Sequence, residues 1–263
     1  MKAPSFAYAK PRTLAEALEL LARHGEGARI LAGGQSLIPT LNMRLSSPEI
    51  LIDITGLPGL NKIESTGKTV KVGALVTHAQ IGKSAEIAKH VPLLAQAVPH
   101  IAHAAIRNRG TLGGSLALAD PAAEYPACAV ALDSVFTVSS SKGERRVKAA
   151  EFFKGLFETD LKPGEILTAA EFPMGGKSAF LELTRRHGDY AIIGLAAHDS
   201  RFVFFNAGAK PVLVNTRKSL AETKTALAKE LNPPADLYNS SATKLHLAGV
   251  LLERAWNTLS TSR

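Results

Sequence analysis

The chain has 263 residues, of which 46% are apolar and 21% charged, values that are typical of a folded globular protein and exclude a disordered one. Its length exceeds the usual size of one domain, so two packed lobes are expected. The net charge of +8 comes from dispersed Lys and Arg residues without a long basic tract, which argues against nucleic-acid binding.

Cysteine and histidine usage restricts the cofactors that this chain can hold. Cys128 is the only cysteine, so four thiolates of this chain cannot hold an iron–sulfur cluster, and any such cluster must belong to a partner. His100 and His103 lack acidic or cysteine companions, so no metal site is expected. The sequence contains no uncharged apolar stretch long enough to span a membrane, and no apolar run of a secretory signal near its start, so a cytoplasmic location is expected.

Helices and strands are predicted to alternate in the first part of the chain. Thr13 and Glu16 predict the start of a helix, and Gly25 predicts its end. A short strand then runs into Gly33 and Gly34. The elements predicted next are strands at 29–32, 50–54 and 69–75 and helices at 77–89 and 92–103.

A polar, glycine-rich loop is predicted from Arg107 to Ser115, and a lobe boundary from Pro173 to Lys177. A shortened hairpin is expected between Ala197 and Phe205. The other predicted elements are strands at 134–139, 145–148, 165–172, 179–184, 191–197 and 201–205, and helices at 220–231 and 241–259.

Two segments of similar design carry the chemistry: Ala32-Gly33-Gly34-Gln35-Ser36 and Thr111-Leu112-Gly113-Gly114-Ser115. Adjacent glycines let main-chain N–H groups converge on a phosphate oxygen, and the hydroxyl groups add donors. Either segment alone could be only a tight turn. Neither matches the G-x-G-x-x-G or G-x-x-x-x-G-K-[ST] pattern, so nucleotide binding would need another fold.

These segments resemble signatures of the medium, FAD-binding subunits of the carbon monoxide dehydrogenase and xanthine dehydrogenase family. The resemblance rests on residues 32–39 (AGGQSLIP), 106–117 (IRNRGTLGGSLA), 119–124 (ADPAAE) and 185–191 (RRHGDYA). It implies an α+β fold in two units. Residues 1–175 would form a two-lobed FAD-binding domain of the vanillyl-alcohol-oxidase (PCMH) type, and 176–263 a small α+β C-terminal domain of the carbon monoxide dehydrogenase flavoprotein type.

The resemblance also implies which residues hold FAD. The two glycine segments would hold its pyrophosphate and ribityl region through Ala32, Gly33, Gly34, Gln35, Ser36, Leu37, Thr111, Gly113, Gly114 and Ser115. Asp120 and Glu124 are candidates for the ribose, although Asp120 before Pro121 equally suits an Asx turn. Ile166 and Tyr190 would contact the flavin ring, while Ile166 by pattern alone is strand core. No catalytic acid or base is expected.

The function implied is electron transfer within a molybdenum hydroxylase. A large partner subunit would hold the molybdenum cofactor, a small one the 2Fe-2S clusters, and the assembly would be a dimer of heterotrimers. FAD in this chain would pass electrons to an external acceptor. The alternatives are a self-contained FAD-dependent oxidoreductase and a non-catalytic nucleotide-binding assembly module.

Overall fold

A computed structural model describes residues 2–216 and 218–261, so Met1, Ser262 and Arg263, at the ends of the two predicted units, lie outside the described residues. The strands are β1 Ala7–Ala9, β2 Ala28–Leu31, β3 Ile50–Asp53, β4 Ile63–Thr66, β5 Thr69–Gly73, β6 Val135–Ser140, β7 Gly143–Lys148, β8 Phe153–Gly155, β9 Glu158–Thr159, β10 Ile166–Pro173, β11 Ser178–Leu183, β12 Ile193–His198, β13 Arg201–Phe205 and β14 Val212–Asn215. The α-helices are α1 Leu14–His24, α2 Leu37–Asn42, α3 His78–Lys83, α4 Ala85–His90, α5 Pro92–Ala97, α6 Ala104–Arg107, α7 Leu112–Leu118, α8 Glu124–Ala131, α9 Ala149–Phe152, α10 Leu220–Glu230 and α11 Ser241–Thr261.

Side-chain caps decide where several helices begin. Thr13 Oγ1 accepts the Glu16 N–H at 3.2 Å and starts α1, which confirms the first predicted helix. The prediction of one continuous helix over 77–89 is wrong. Ser84 interrupts it, because its Oγ accepts the Ile87 N–H at 3.3 Å and begins α4 as a separate helix.

The loop predicted from Arg107 to Ser115 is also wrong in part. Arg107 ends α6, and Gly113 and Gly114 lie within the first turn of α7. Thr111 is extended and accepts the Gly114 N–H through its hydroxyl at 3.0 Å, so a cap starts a helix despite the low helix propensity of two glycines.

Three larger sheets and the two-stranded sheet β8-β9 organise the described residues into a mixed α+β fold, as predicted. The first is parallel, in the order β1-β3-β2, and α1 packs against it. The second is antiparallel, in the order β4-β5-β10-β6-β7; α4 and α7 pack on it, and α5 and α8 pack on the third sheet. The third is antiparallel, in the order β11-β12-β13-β14, and α10 and α11 pack on it. No helix in the described part of the chain has the length and apolarity needed to cross a membrane.

The third sheet contributes to two apolar cores at once. Strands expose alternate residues on opposite faces. Accordingly, Leu195 and Phe204 pack under α11, whereas Ala196 and Phe205 join the core built by α5, α8 and the second sheet. The strands that bear these residues are therefore part of one continuous packing arrangement with the N-terminal elements.

Hydrogen bonds supplement this apolar contact. The Arg201 guanidinium donates to the carbonyl oxygens of Val130 and Ala131 at 2.9 and 3.1 Å, and these carbonyls lie in the last turn of α8. The Asn206 N–H donates to the Pro121 carbonyl at 2.7 Å. Only Asp199 and Ser200 separate β12 from β13, so these strands are joined by a tight turn.

We expect Arg201→Met to lower the free energy of unfolding by about 1–3 kcal/mol, because the buried end of α8 loses its donors. Urea denaturation monitored by circular dichroism measures this change. Arg254→Met, on the exposed face of α11, is the control and should change stability by less than about 0.5 kcal/mol. Equal effects of the two substitutions would show that the guanidinium contacts contribute nothing.

Candidate functional site

The first glycine segment is a turn with unused main-chain donors. It leaves β2 at Ala32, and the amide of Gln35 donates from Nε2 to the Gly33 carbonyl at 2.9 Å. Gly34 has a φ of 73°, in the left-handed region that favours glycine. Within the described part of the chain, the N–H groups of Gly33, Gly34, Gln35 and Ser36 donate to no protein acceptor. Four successive free donors of this kind suit an anion.

The second glycine segment differs, because the N–H groups of its last four residues all donate to protein acceptors. The Leu112 and Gly113 N–H groups donate to the carbonyls of Val76 and Ala74 at 2.9 and 2.8 Å. Those of Gly114 and Ser115 donate to the hydroxyl and carbonyl of Thr111. Apart from the Thr111 N–H, this segment can therefore offer a ligand hydroxyl groups rather than main-chain amides.

Glycine is needed in both segments for close packing. A Cβ on Gly33 would overlap the Arg109 carbonyl oxygen and lie 2.8 Å from the Gly110 Cα. A Cβ on Gly113 would overlap Ala74, and one on Gly114 would lie 2.9 Å from Thr111 Oγ1 and 3.9 Å from the Ala32 Cβ. The structure thus brings the two predicted segments into direct contact with each other.

A neutral histidine, His78, packs against Gly110 at the contact between the two glycine segments. The His78 N–H donates to the Gly110 carbonyl at 3.0 Å, and a Cβ on Gly110 would lie 2.6 Å from His78 Nε2. Burial, together with the charge of Arg107, lowers the pKa of His78 to about 4. The imidazole is therefore uncharged at neutral pH and acts as packing beside Tyr125.

The two acidic candidates lie together after α7. Asp120 accepts the Ala122 N–H at 2.9 Å, which is the Asx turn that the sequence allowed. Glu124 begins α8, and burial followed by the charge of Asp120 raises its pKa to about 7. Glu124 is therefore partly protonated at neutral pH and can donate as well as accept a hydrogen bond.

The remaining candidate residues, Leu37, Ile166 and Tyr190, differ in their surroundings and exposure. Leu37 begins α2 directly after the first glycine segment. Ile166 is 3% exposed and packs with Leu75 in the core beneath the first sheet. The ring of Tyr190 is 73% exposed, and partial desolvation with the nearby carboxylates of Asp120 and Glu124 raises its pKa. Tyr190 thus stands on the same side as the acidic pair.

The segment that carries Tyr190 is held from both ends. A Cβ on Gly188 would lie 3.0 Å from the Ala102 carbonyl oxygen, and Gly188 has a φ of 88°. The Arg185 guanidinium stacks over the Tyr238 ring at 4.2 Å. This segment therefore rests on the turn before α6, and α6 leads directly to the second glycine segment.

Sequence reasoning missed a buried carboxyl at this junction. Glu182 lies on β11 with its side chain 1% exposed, and its Oε2 is 3.8 Å from His100 Nδ1. Burial and the charge of Glu124 raise the pKa of Glu182 to about 8. A signal was present, because an acid between Leu181 and Leu183 is unusual in a strand that is buried on both faces. Among the described residues, no group of His, Cys, Asp and Glu side chains is arranged to hold a metal ion.

Comparison with known proteins identifies the family. A model described as the FAD binding domain in molybdopterin dehydrogenase matches residues 4–175. The chain belongs to this family. It is thus an FAD-binding medium subunit of the molybdenum hydroxylase type, and the resemblance found in the sequence is confirmed.

Relatives of this family match most of the chain. The 6-hydroxypseudooxynicotine dehydrogenase complex subunit alpha of Paenarthrobacter nicotinovorans is 46% identical over 75% of this chain and 68% of its own length. The glyceraldehyde dehydrogenase medium chain of Sulfolobus acidocaldarius is 33% identical over 99% of this chain and 100% of its own. The carbon monoxide dehydrogenase structure from Hydrogenophaga pseudoflava superimposes with a TM-score of 0.94, at 31% identity over 99% of both chains.

The hydrogen-bond donors of this site suit the binding of FAD. The pyrophosphate of FAD needs several hydrogen-bond donors with no side chain in the way, and residues 33–36 offer four unengaged N–H groups in a row. Thr111 and Ser115 add hydroxyl groups at the facing segment, and Arg109 lies where the segments touch. These features support anion binding at the contact between the two segments.

We expect Gly33→Ala to weaken FAD binding at least about tenfold, because the new Cβ overlaps the Arg109 carbonyl and forces the segments apart. Fluorescence titration of the flavin-depleted protein with FAD measures the dissociation constant. Gly56→Ala is the matched control: it lies in the same lobe, and the nearest atom to its Cβ would be Lys10 Cε at 3.5 Å. FAD affinity equal in both variants would contradict the close-contact explanation.

Stability should depend on pH through the two buried acids. Glu124 and Glu182 have pKa values raised to about 7 and about 8, so the folded chain binds more protons than the unfolded chain above their ordinary pKa of 4.5. Their stabilising contribution is complete below that value and is lost as the pH rises through about 7 and 8. We expect the melting temperature to fall from about pH 5 to about pH 8.5.

Glu182→Gln should flatten the upper part of this dependence, because the amide does not ionise. Differential scanning fluorimetry across that range measures it. Glu64→Gln, at an exposed position of β4, should keep the wild-type profile. A melting temperature in Glu182→Gln that falls as steeply as in the wild type would exclude Glu182 as the titrating group.

Proposed function

We propose that this chain binds FAD between its two glycine segments and conducts electrons from the iron–sulfur clusters of a partner to an external acceptor. The observation that supports the proposal is the contact of Gly33 with Arg109 and Gly110, which brings a turn with four free N–H groups beside the main chain that leads into Thr111 and Ser115. When bound, FAD supplies the ability to accept electrons singly and release them in pairs.

Each predicted site residue takes a distinct task in this proposal. The main-chain N–H groups of Gly33 to Ser36 bind the pyrophosphate, with Ala32 and Leu37 fixing the turn at either end. The hydroxyls of Thr111 and Ser115 contact the same region, and Gly113 and Gly114 allow the segments to approach. Asp120 and Glu124 bind ribose hydroxyls, for which a partly protonated Glu124 supplies either a donor or an acceptor.

The two residues expected at the flavin ring, Tyr190 and Ile166, differ in exposure. Tyr190 is exposed, and its ring is free to stack on the flavin or to cover it. Ile166 is already buried in the protein core, so it supports the site from behind. No group in this scheme acts as a general acid or base toward a substrate.

The partners follow from the family. A large subunit holds the molybdenum cofactor, a small subunit holds 2Fe-2S clusters, and two heterotrimers pair in the cytoplasm. The matching carbon monoxide dehydrogenase is described as lacking the Mo-pyranopterin moiety of its molybdenum cofactor, which associates such a cofactor with that complex. Within this chain, residues 1–175 form the FAD-binding unit and 176–263 the C-terminal unit.

The match to a medium chain favours the subunit over a self-contained flavin enzyme. The chain and the Sulfolobus medium chain match over 99% and 100% of their lengths. The assembly-module alternative predicts bound nucleotide without reduction by a partner.

The order of electron flow tests the proposal. In the native complex, we expect substrate to reduce the iron–sulfur centres first and the flavin second. Stopped-flow absorbance measures this order. In a complex carrying Gly33→Val, which should lack FAD, the iron–sulfur bands should still bleach at about the wild-type rate while reduction of an external acceptor falls at least about 100-fold. Gly56→Val is the control for general disruption.

Two outcomes would contradict the proposal. Iron–sulfur centres that stay oxidised in the Gly33→Val complex would place the flavin before them and favour a self-contained flavin enzyme. Wild-type protein that contains flavin but no co-purifying subunits, and reduces an acceptor by itself, would do the same.

A further inference from the structure

Glu182 is a buried acid without a hydrogen-bond partner. Its side chain is 1% exposed, and neither Oε1 nor Oε2 has a hydrogen bond to any described residue. The adjacent residues Leu181 and Leu183 point to the opposite face of β11, and Gly194 faces Glu182 from β12. An isolated carboxylate is very costly in such surroundings, so the group is held as the neutral acid.

The groups that face Glu182 are few and come from several elements. His100 Nδ1 lies 3.8 Å from Oε2, and Glu124 is close enough to raise the pKa of Glu182. The His187 ring is 6.2 Å from the His100 ring. Helix α5, which also packs on β11, carries no titratable side chain, and β12 presents Gly194 and Ala196 on this face.

Nearby cations are engaged elsewhere. Arg107 donates to the carbonyls of Ile101 and Ala102 at 2.8 Å, and Arg185 stacks over Tyr238. Within the described part of the chain, no Lys or Arg forms an ion pair with Glu182. No cation of the described residues thus balances a charge on Glu182, so its charge state depends on burial and on other charges nearby, such as that of Glu124.

Glu182 and the neighbouring His100 adjoin the proposed flavin site. His100 directly precedes the Ile101–Ala102 turn, against which Gly188 and hence the Tyr190 segment rest. The same turn is bonded to Arg107 at the end of α6, three residues before Gly110, which touches Gly33. Through His100, Glu182 thus adjoins the turn that contacts both the Tyr190 segment and Arg107.

We propose that Glu182, positioned by His100, is the proton acceptor that compensates the negative charge placed on the flavin when it is reduced. This inference rests on the proposed function. A bound flavin would take up two electrons from the partner's clusters and one proton from solvent. The Glu182 carboxylate would bind a further proton from solvent, so about two protons would enter with two electrons.

The pH range of this uptake follows from the geometry. Below about pH 8 Glu182 is already protonated and takes up nothing. Above it, the carboxylate binds a proton on reduction, because a new negative charge nearby disfavours its ionised form. His100 is a positioning residue: burial and His187 lower its pKa, and the neutral imidazole lies within reach of the carboxyl.

The test is a redox titration of the flavin in the intact, FAD-loaded complex between about pH 6 and pH 9.5, followed by flavin absorbance. In the wild type, the midpoint potential should fall with pH roughly twofold more steeply above about pH 8 than in Glu182→Gln, and equally below about pH 7. Reduced-minus-oxidised infrared spectra above pH 8 should show a protonated carboxyl band in the wild type that Glu182→Gln lacks. Glu64→Gln should keep both wild-type signatures.

A second variant keeps the inference testable if Glu182→Gln fails to fold. His100→Phe preserves the ring that packs 5.1 Å from Phe180 and removes its nitrogen atoms, so the steep region should move to higher pH. Wild-type slopes in both variants would overturn the inference while leaving the proposed function intact. A wild-type complex without flavin absorbance would overturn both, and the spectrum shows this before any titration.

Discussion

The contact between the main chain of Gly33 and that of Arg109 and Gly110 sets the geometry on which the site depends. It joins a turn at the end of a parallel strand to the start of α7, two pieces of chain that are about 75 residues apart. No side chain fits between them. The spacing of the two glycine segments is thus fixed by atoms of the backbone, which cannot adjust as a side chain can.

The two glycine pairs, although similar in sequence, do different work. The first leaves its N–H groups free and bends through a left-handed residue, so it presents donors. The second uses every N–H within the protein and lets α7 lie against Ala74. Both pairs serve packing, and the first also leaves donors free, so losing either would move the facing segment.

Much of the fold could be predicted from the sequence because its signals are local. The cap at Thr13, the hairpin at Lys142 and Gly143 and the short turn after His198 each depend on neighbouring residues. The helical conformation of Gly113 was not predicted, because two adjacent glycines have low helix propensity and the Thr111 cap that starts the helix outweighs it. The site candidates came from resemblance, and the charge states of Glu124 and Glu182 required knowledge of burial.

The C-terminal unit contributes Glu182 next to a proposed site that is built mainly by the N-terminal unit. Phe180 and Phe205 extend the N-terminal core, and the same strand face brings Glu182 against His100. A sheet that contributed only packing would gain stability from an apolar residue at this position, because burying an acid costs free energy. The inferred role of Glu182 in balancing charge on reduction accounts for that cost, and packing does not.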